Sequence, residues 1–213
     1  MALLTISLNL IFVTAALLFS LLILKERQVW KIFFPYLLVV LITESYGAYL
    51  RLSGIFNSYV YNIFMPIYLY TFSLILLYIL KAEKLLRYKY LLLSSIVLFY
   101  VFIFYRFGIS KLLSEILVTS NFIFSILCLI YLYRLMSDNL SINILKLPEF
   151  WIVVGILVYS FGSITVWLFM RLLNTIYQTM QLPLRQIIML FLNGFLYGSW
   201  SYAFLCKYQQ KIS

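Results

Sequence analysis

Glu44 is the side chain most able to do chemistry here. It stands in the run VVLITESYGAYLRLSG, surrounded by apolar residues, in a chain of 213 residues with only six Asp and Glu. Ionisation is costly in hydrocarbon, so an acid inside an apolar span marks a ligand, ion or proton site by default. Gly47, Ala48 and Arg51 follow Glu44 at three, four and seven residues, on one helical stripe with it. The two small residues let a neighbouring backbone approach, so the stripe is expected to face protein rather than lipid. Glu44 can then meet a ligand cation, a proton or Arg51. The competing reading is structural, because Glu and Asn side chains also hydrogen-bond between helices, each worth about 0.6 to 2 kcal/mol.

The elements that must hold Glu44 follow from composition. The chain is 65% hydrophobic and 10% charged, with a mean hydropathy of +1.05, more apolar surface than a soluble core of this size can hide. Apolar windows of about 20 residues, the length a helix needs to cross roughly 30 Å of hydrocarbon, recur along the chain. They predict an all-α polytopic membrane protein with seven spans, near residues 3–24, 32–52, 59–80, 90–107, 112–135, 148–170 and 186–206. The runs are continuous rather than alternating, which disfavours a barrel. Pro35, Pro148 and Pro183 are expected at helix starts, where a missing N–H costs nothing. The first span lacks a basic leader and a small-residue cleavage site and is expected to stay attached. Residues 1–213 read as a single domain.

Charge predicts orientation. Eleven of the sixteen Lys and Arg fall on one side: Lys25, Arg27 and Lys31; Lys81, Lys84, Arg87 and Lys89; Arg134 and Lys146; Lys207 and Lys211. Arg51, Arg106, Lys111, Arg171 and Arg185 fall on the other. The positive-inside bias places the N-terminus outside and the C-terminus in the cytoplasm. A basic rim facing anionic lipid accounts for the net charge of +10 without invoking nucleic acid.

Orientation turns sequence position into depth, at about 1.5 Å per residue. Glu44 falls about 12 Å below the outer surface. Asn9, Asn62, Asn121 and Asn193 also fall in the outer half, with Tyr100, Gly162 and Ser163 at a similar level. Pro66 cannot donate to the carbonyl of Asn62, leaving an acceptor near that level. The inner half carries only hydroxyls and Cys128. The expected ligand pocket is therefore Glu44, Asn62, Asn121, Asn193, Tyr100, Ser163 and Arg51. Gly155 and Gly162, seven residues apart, and the GxxxG pair Gly194 and Gly198 in NGFLYG are expected to pack helices together within the chain. Glu115 and Glu149 read as first-turn acids that complement helix dipoles. Trp30, Trp151, Trp167 and Tyr208 suit headgroup depth.

Catalysis has little to stand on. The chain contains no histidine, the commonest general base and metal ligand, and its two cysteines cannot make a zinc site. No nucleophile elbow and no Gly-rich phosphate loop is present. No enzyme activity, metal or cofactor is expected, and Cys128 and Cys206 are placed at different heights, against a disulfide.

The stretches ITESYGAYL, YVYNIFMPIYLYTFSLIL, LPEFWIVVGILVYSFGSITVWLF and NGFLYGSWSYAFLCK resemble the small seven-helix membrane proteins of Bacteroidota-type bacteria. In that group the heptahelical unit occurs alone or ahead of a sensor histidine kinase. The resemblance covers about half the chain and implies a bacterial cytoplasmic-membrane protein. It makes Glu44, Tyr61, Asn62, Phe150, Trp151, Gly155, Tyr159, Gly162 and Asn193 the recurrent polar, aromatic and glycine positions. About seven residues follow the last expected span, so no kinase domain is expected here, and any output is expected to pass through a separate kinase or membrane partner, or there is none.

The expected function is thus a sensory or signalling module for an unidentified small ligand, with the segment RLLNTIYQTMQLPLR (171–185) as a candidate lid and a basic inner rim as a docking surface. A small-solute transporter of three-plus-one-plus-three helices is the alternative, since KIFFPYLLVV and KLPEFWIVV begin alike. A structural subunit of a membrane complex is the third.

Overall fold

A computed structural model describes residues 2–26, 29–108, 114–137 and 143–212, and the described residues contain helices and turns but no strand. Arg27 and Lys111 of the charge count lie outside them. Seven helices are long and apolar enough to cross a membrane, the architecture of a multi-pass membrane protein. They are α1 (Ala2–Ser20), extended by a 3-10 turn (Leu21–Ile23), α2 (Trp30–Leu52), α3 (Ser58–Ile79), α5 (Lys89–Phe107), α6 (Ser114–Ser137), α7 (Pro148–Leu168) and α9 (Leu184–Ile212). Two shorter helices, α4 (Glu83–Leu86) and α8 (Met170–Met180), sit in connections. Helices satisfy their own backbone, which is what hydrocarbon demands of a spanning segment.

The helix ends have local causes. Pro148 occupies the first turn of α7 and Glu149 follows it, while Glu115 lies in the first turn of α6, as the dipole favours. Gly54, at φ 72°, closes α2: its N–H reaches the Arg51 carbonyl, and the Ile55 N–H reaches back to Leu50. This paired closure needs a left-handed residue. Pro183 directly precedes α9, as expected. Pro35 does not begin its helix. It lies inside α2, which starts at Trp30, two residues before the expected span and five before the proline. Helix α9 runs six residues beyond its expected end, because apolarity stops near Cys206 whereas helical propensity continues through Lys207–Lys211.

The chain folds as two compact units. The first joins Met1–Lys25 to Ser114–Ser213 and the second is Glu26–Leu113. In the first unit α9 is central, packing on both α1 and α7, and α7 also packs on α6. Gly155 faces Ser199 and Gly162 faces Leu192, so seven residues up α7 match seven down α9: the two helices are antiparallel and in close contact along two turns. A β-carbon on Gly155 would overlap the Ser199 hydroxyl, and one on Gly162 would overlap the Leu192 side chain. Both glycines are therefore contact points between α7 and α9. The GxxxG pair splits. Gly194 is pressed against Phe12 of α1, while Gly198 has open space where a side chain would project. In the second unit α3 is central, against α2 and α5, and its core includes Tyr36, Tyr68, Phe72, Ile75 and Leu76. Tyr68 and Phe72 lie 4.4 Å apart between centroids with their rings tilted by 50°, and Tyr36 meets Phe72 edge-on at 6.1 Å.

Candidate functional site

Glu44 projects from α2 toward α3. The Tyr61 hydroxyl donates to its Oε2 across 3.5 Å, a long contact that sets the level at which the two helices meet. One turn further along α2, Gly47 leaves the room that Tyr61 uses: a β-carbon there would lie 2.8 Å from the Tyr61 hydroxyl oxygen. Asn57 seals the same region by donating from Nδ2 to the Gly47 carbonyl at 3.1 Å. Tyr46 and Tyr59 join hydroxyls at 3.1 Å on the exposed side. Asn62, next to Tyr61 on α3, is fully buried. Glu44, Tyr61 and Asn62 thus occupy one level of the α2–α3 pair, and Gly47 is what allows the approach.

Tyr100, on α5 of the same unit, is also buried, and its ring meets Phe104 edge-on at 5.6 Å. Its hydroxyl has no hydrogen-bond partner among the described residues. Arg51 lies exposed near the end of α2. Ala48 is half-buried on the same helix.

The remaining expected site residues belong to the first unit. Asn193 Nδ2 donates to Asn9 Oδ1 at 3.0 Å, coupling α9 to α1. Asn121 is fully buried on α6, and its Nδ2 lies 3.4 Å from the Ser163 hydroxyl of α7. By the antiparallel register of α7 and α9, Ser163 stands opposite a residue two positions from Asn193, or about 3 Å along the axis. Both polar pairs therefore share one level of their unit. Each amide is bonded to a side chain on a neighbouring helix, as interhelical packing asks of Asn; Glu44 makes the same kind of contact with Tyr61 but differs in carrying an ionisable group.

Several features escaped the sequence reading. Asn57 and Tyr46 fall at a helix end and on an apolar helix, with no local signal that they meet a backbone carbonyl or another tyrosine. Segment 171–180 is an amphipathic helix rather than a loop. Trp30, expected at headgroup depth, is buried beside Phe33, with centroids 5.8 Å apart. Trp151 sits half-buried, donating from Nε1 to the Leu145 carbonyl at 2.9 Å and meeting Tyr202 edge-on at 4.9 Å. With Gly194, Phe195, Gly198 and Ser199, these two rings line a groove of about 470 Å³. Its lining does not include Glu44. Phe150 meets Trp151 edge-on at 5.6 Å. Cys128 and Cys206 are both free thiols. Among the described residues, no three His, Cys, Asp or Glu side chains gather closely enough to hold a metal ion.

Neither a protein-family model, nor a curated protein, nor a solved structure matches this chain. The functional reading therefore rests on the geometry of its own residues.

Proposed function

We propose that this chain is a sensory or signalling module of a bacterial cytoplasmic membrane, N-terminus outside and C-terminus inside, whose responsive group is Glu44. The resemblance to stand-alone heptahelical units of Bacteroidota-type bacteria agrees with this reading. The observation that carries it is the meeting of Glu44 with the Tyr61 hydroxyl on two helices held close by Gly47. A carboxyl group at such a junction has two states with different demands. Ionised, it accepts strongly from Tyr61 and attracts a cation; protonated, it loses the charge and gains an O–H donor while its carbonyl oxygen remains a weaker acceptor, so its hold on that hydroxyl loosens. Gain or loss of one charge then changes how α2 sits on α3, and α3 is the central helix of its unit. A bound cation or a proton is thus converted into a helix movement that a separate kinase or membrane partner can read. Lys81, Lys84, Arg87 and Lys89, around α4 at the far end of α3, supply a basic surface for that partner or for anionic lipid.

Transport has less support. A three-plus-one-plus-three design pairs the first three spans in one repeat, whereas α1 packs on α9 and shares the first unit with α6, α7 and α9, and α2 and α3 pack in the second. The test uses the full chain in vesicles, with difference infrared spectra of the carboxyl stretch recorded on acidification and on adding organic cations. A band absent from Glu44→Gln is expected, together with changed labelling of an Ala48→Cys probe from one face only. Labelling of that probe from both faces supports transport. An unchanged spectrum and unchanged probe in Glu44→Gln leave Glu44 as packing alone and overturn the proposal.

A further inference from the structure

Helix α8, between α7 and α9, has an arrangement that no spanning helix of the chain shares. At 100° per residue, Leu172, Ile176, Met180, Leu173, Tyr177 and Met170 occupy one continuous arc, and Asn174, Gln178, Arg171, Thr175 and Thr179 fill the rest. The division is complete, with no residue on the wrong side. Yet the apolar arc is not buried against protein. Leu173 alone is taken into the unit, at 8% exposed, while Leu172, Tyr177 and Met180 are 55%, 49% and 66% exposed. Eleven residues are too few to cross hydrocarbon.

Both ends of α8 are fixed in depth. Phe169 alone separates it from α7, which stops at Leu168, and Gln181, Leu182 and Pro183 separate it from the start of α9 at Leu184. Gln181, at φ 54°, ends the helix in a left-handed turn, and its N–H bonds the Tyr177 carbonyl at 2.9 Å. Beside it the Arg185 guanidinium lies 5.0 Å from the centroid of the Trp167 ring, a pairing that ties the start of α9 to the end of α7. A segment strung between the ends of two spans lies at the boundary of hydrocarbon and headgroups. Thr175 and Thr179 return their hydroxyls to carbonyls of their own helix, at 3.1 Å and 3.0 Å, which lowers their demand for water at that depth.

We propose that α8 is an interfacial helix seated in the lipid surface, with Leu172, Ile176, Tyr177 and Met180 entering the acyl boundary and Arg171, Asn174, Thr175 and Gln178 facing headgroups and water. It is a membrane-binding surface in its own right, distinct from the spans. A helix with separated faces binds such a boundary through buried apolar area. The fixed depth of its two ends makes that boundary, rather than a soluble partner, the available occupant. Seated in this way, α8 braces the junction of α7 and α9 and does not move freely as a lid.

The test uses the full chain with Cys128→Ser and Cys206→Ser, reconstituted at high lipid ratio in phosphatidylcholine and phosphatidylglycerol vesicles. Single cysteines at 172, 177 and 180, and at 174, 175 and 178, carry a nitroxide. Collision rates with oxygen and with a water-soluble nickel chelate are compared. Oxygen is expected to dominate at the first three positions and the chelate at the second three. Equal access of the chelate to both sets places the helix in water and overturns the proposal. Spin–spin broadening at 172 or 177 that disappears on dilution with unlabelled protein shows a second copy seated there and also overturns it. A second measurement keeps the native cysteines: in vesicles, Ile176→Asp is expected to raise the rate of proteolysis within α8 about tenfold over Gln178→Asp, since a charge on the lipid face frees the helix. Equal rates count against the proposal.

Discussion

Each polar side chain placed within the spans is governed by how it is partnered. Asn193 and Asn9 are joined by an amide-to-amide bond at 3.0 Å between α9 and α1. In lipid such a bond is worth about 0.6 kcal/mol on average and rarely above about 1.7. Asn193→Ala and Asn9→Ala should each destabilise the protein by a comparable amount, and the double variant by clearly less than their sum, in a double-mutant cycle read by unfolding in detergent. Additive losses would show that the two amides act separately. Glycine contacts allow a sharper comparison. Gly155→Leu must displace Ser199 and Trp200 and is expected to cost about 1–3 kcal/mol, whereas Gly198→Leu, projecting into open space, should be near neutral. The spacing of the glycines made Gly198 look equivalent to Gly194, and only the placement of Phe12 tells them apart.

At the scale of the helix, the same hydropathy that makes a span visible hides what it touches. The seven spans emerge within a few residues of their expected limits, because length and apolarity are properties of a segment alone. The exceptions are instructive. Pro35 sits inside α2 because Trp30 and Phe33 are buried and hold an earlier turn in place. Helix α8 is the opposite case: its 3.6-residue alternation is plain in RLLNTIYQTM, but its low mean apolarity excludes it from any search for spans. Because α8 is bound by its apolar arc, substitutions there should act on the α7–α9 junction while those on the polar arc should not, which is the contrast that the proteolysis experiment measures.

For the whole molecule, the arrangement of helices is not their order in the chain. The first span joins the last three spans, and the second to fourth form a unit of their own. Such a grouping keeps Glu44, Tyr61, Asn62 and Tyr100 in one unit and Asn9, Asn121, Ser163 and Asn193 in the other. The basic residues around α4 and at the end of α9 carry the prediction of topology. A fluorescent protein fused after Ser213 should fold and fluoresce in bacteria, and alkaline phosphatase fused there should be inactive. The reverse pattern would place the C-terminus outside and with it invert the depth assigned to every polar group.

Sequence alone determined the apolar solvent, the helical class, the number of spans and the presence of an acid within an apolar span, since each of these depends on what a residue is rather than on what it meets. Tertiary structure decided that Tyr61 is the hydroxyl at Glu44, that Asn9 pairs with Asn193, that Gly198 is open and that α8 lies along the junction of α7 and α9. The physical reason is that lipid tails are as apolar as the side chains that compete with them. No hydrophobic pattern then distinguishes a face turned to protein from one turned to lipid, and the choice falls to close packing and a few hydrogen bonds.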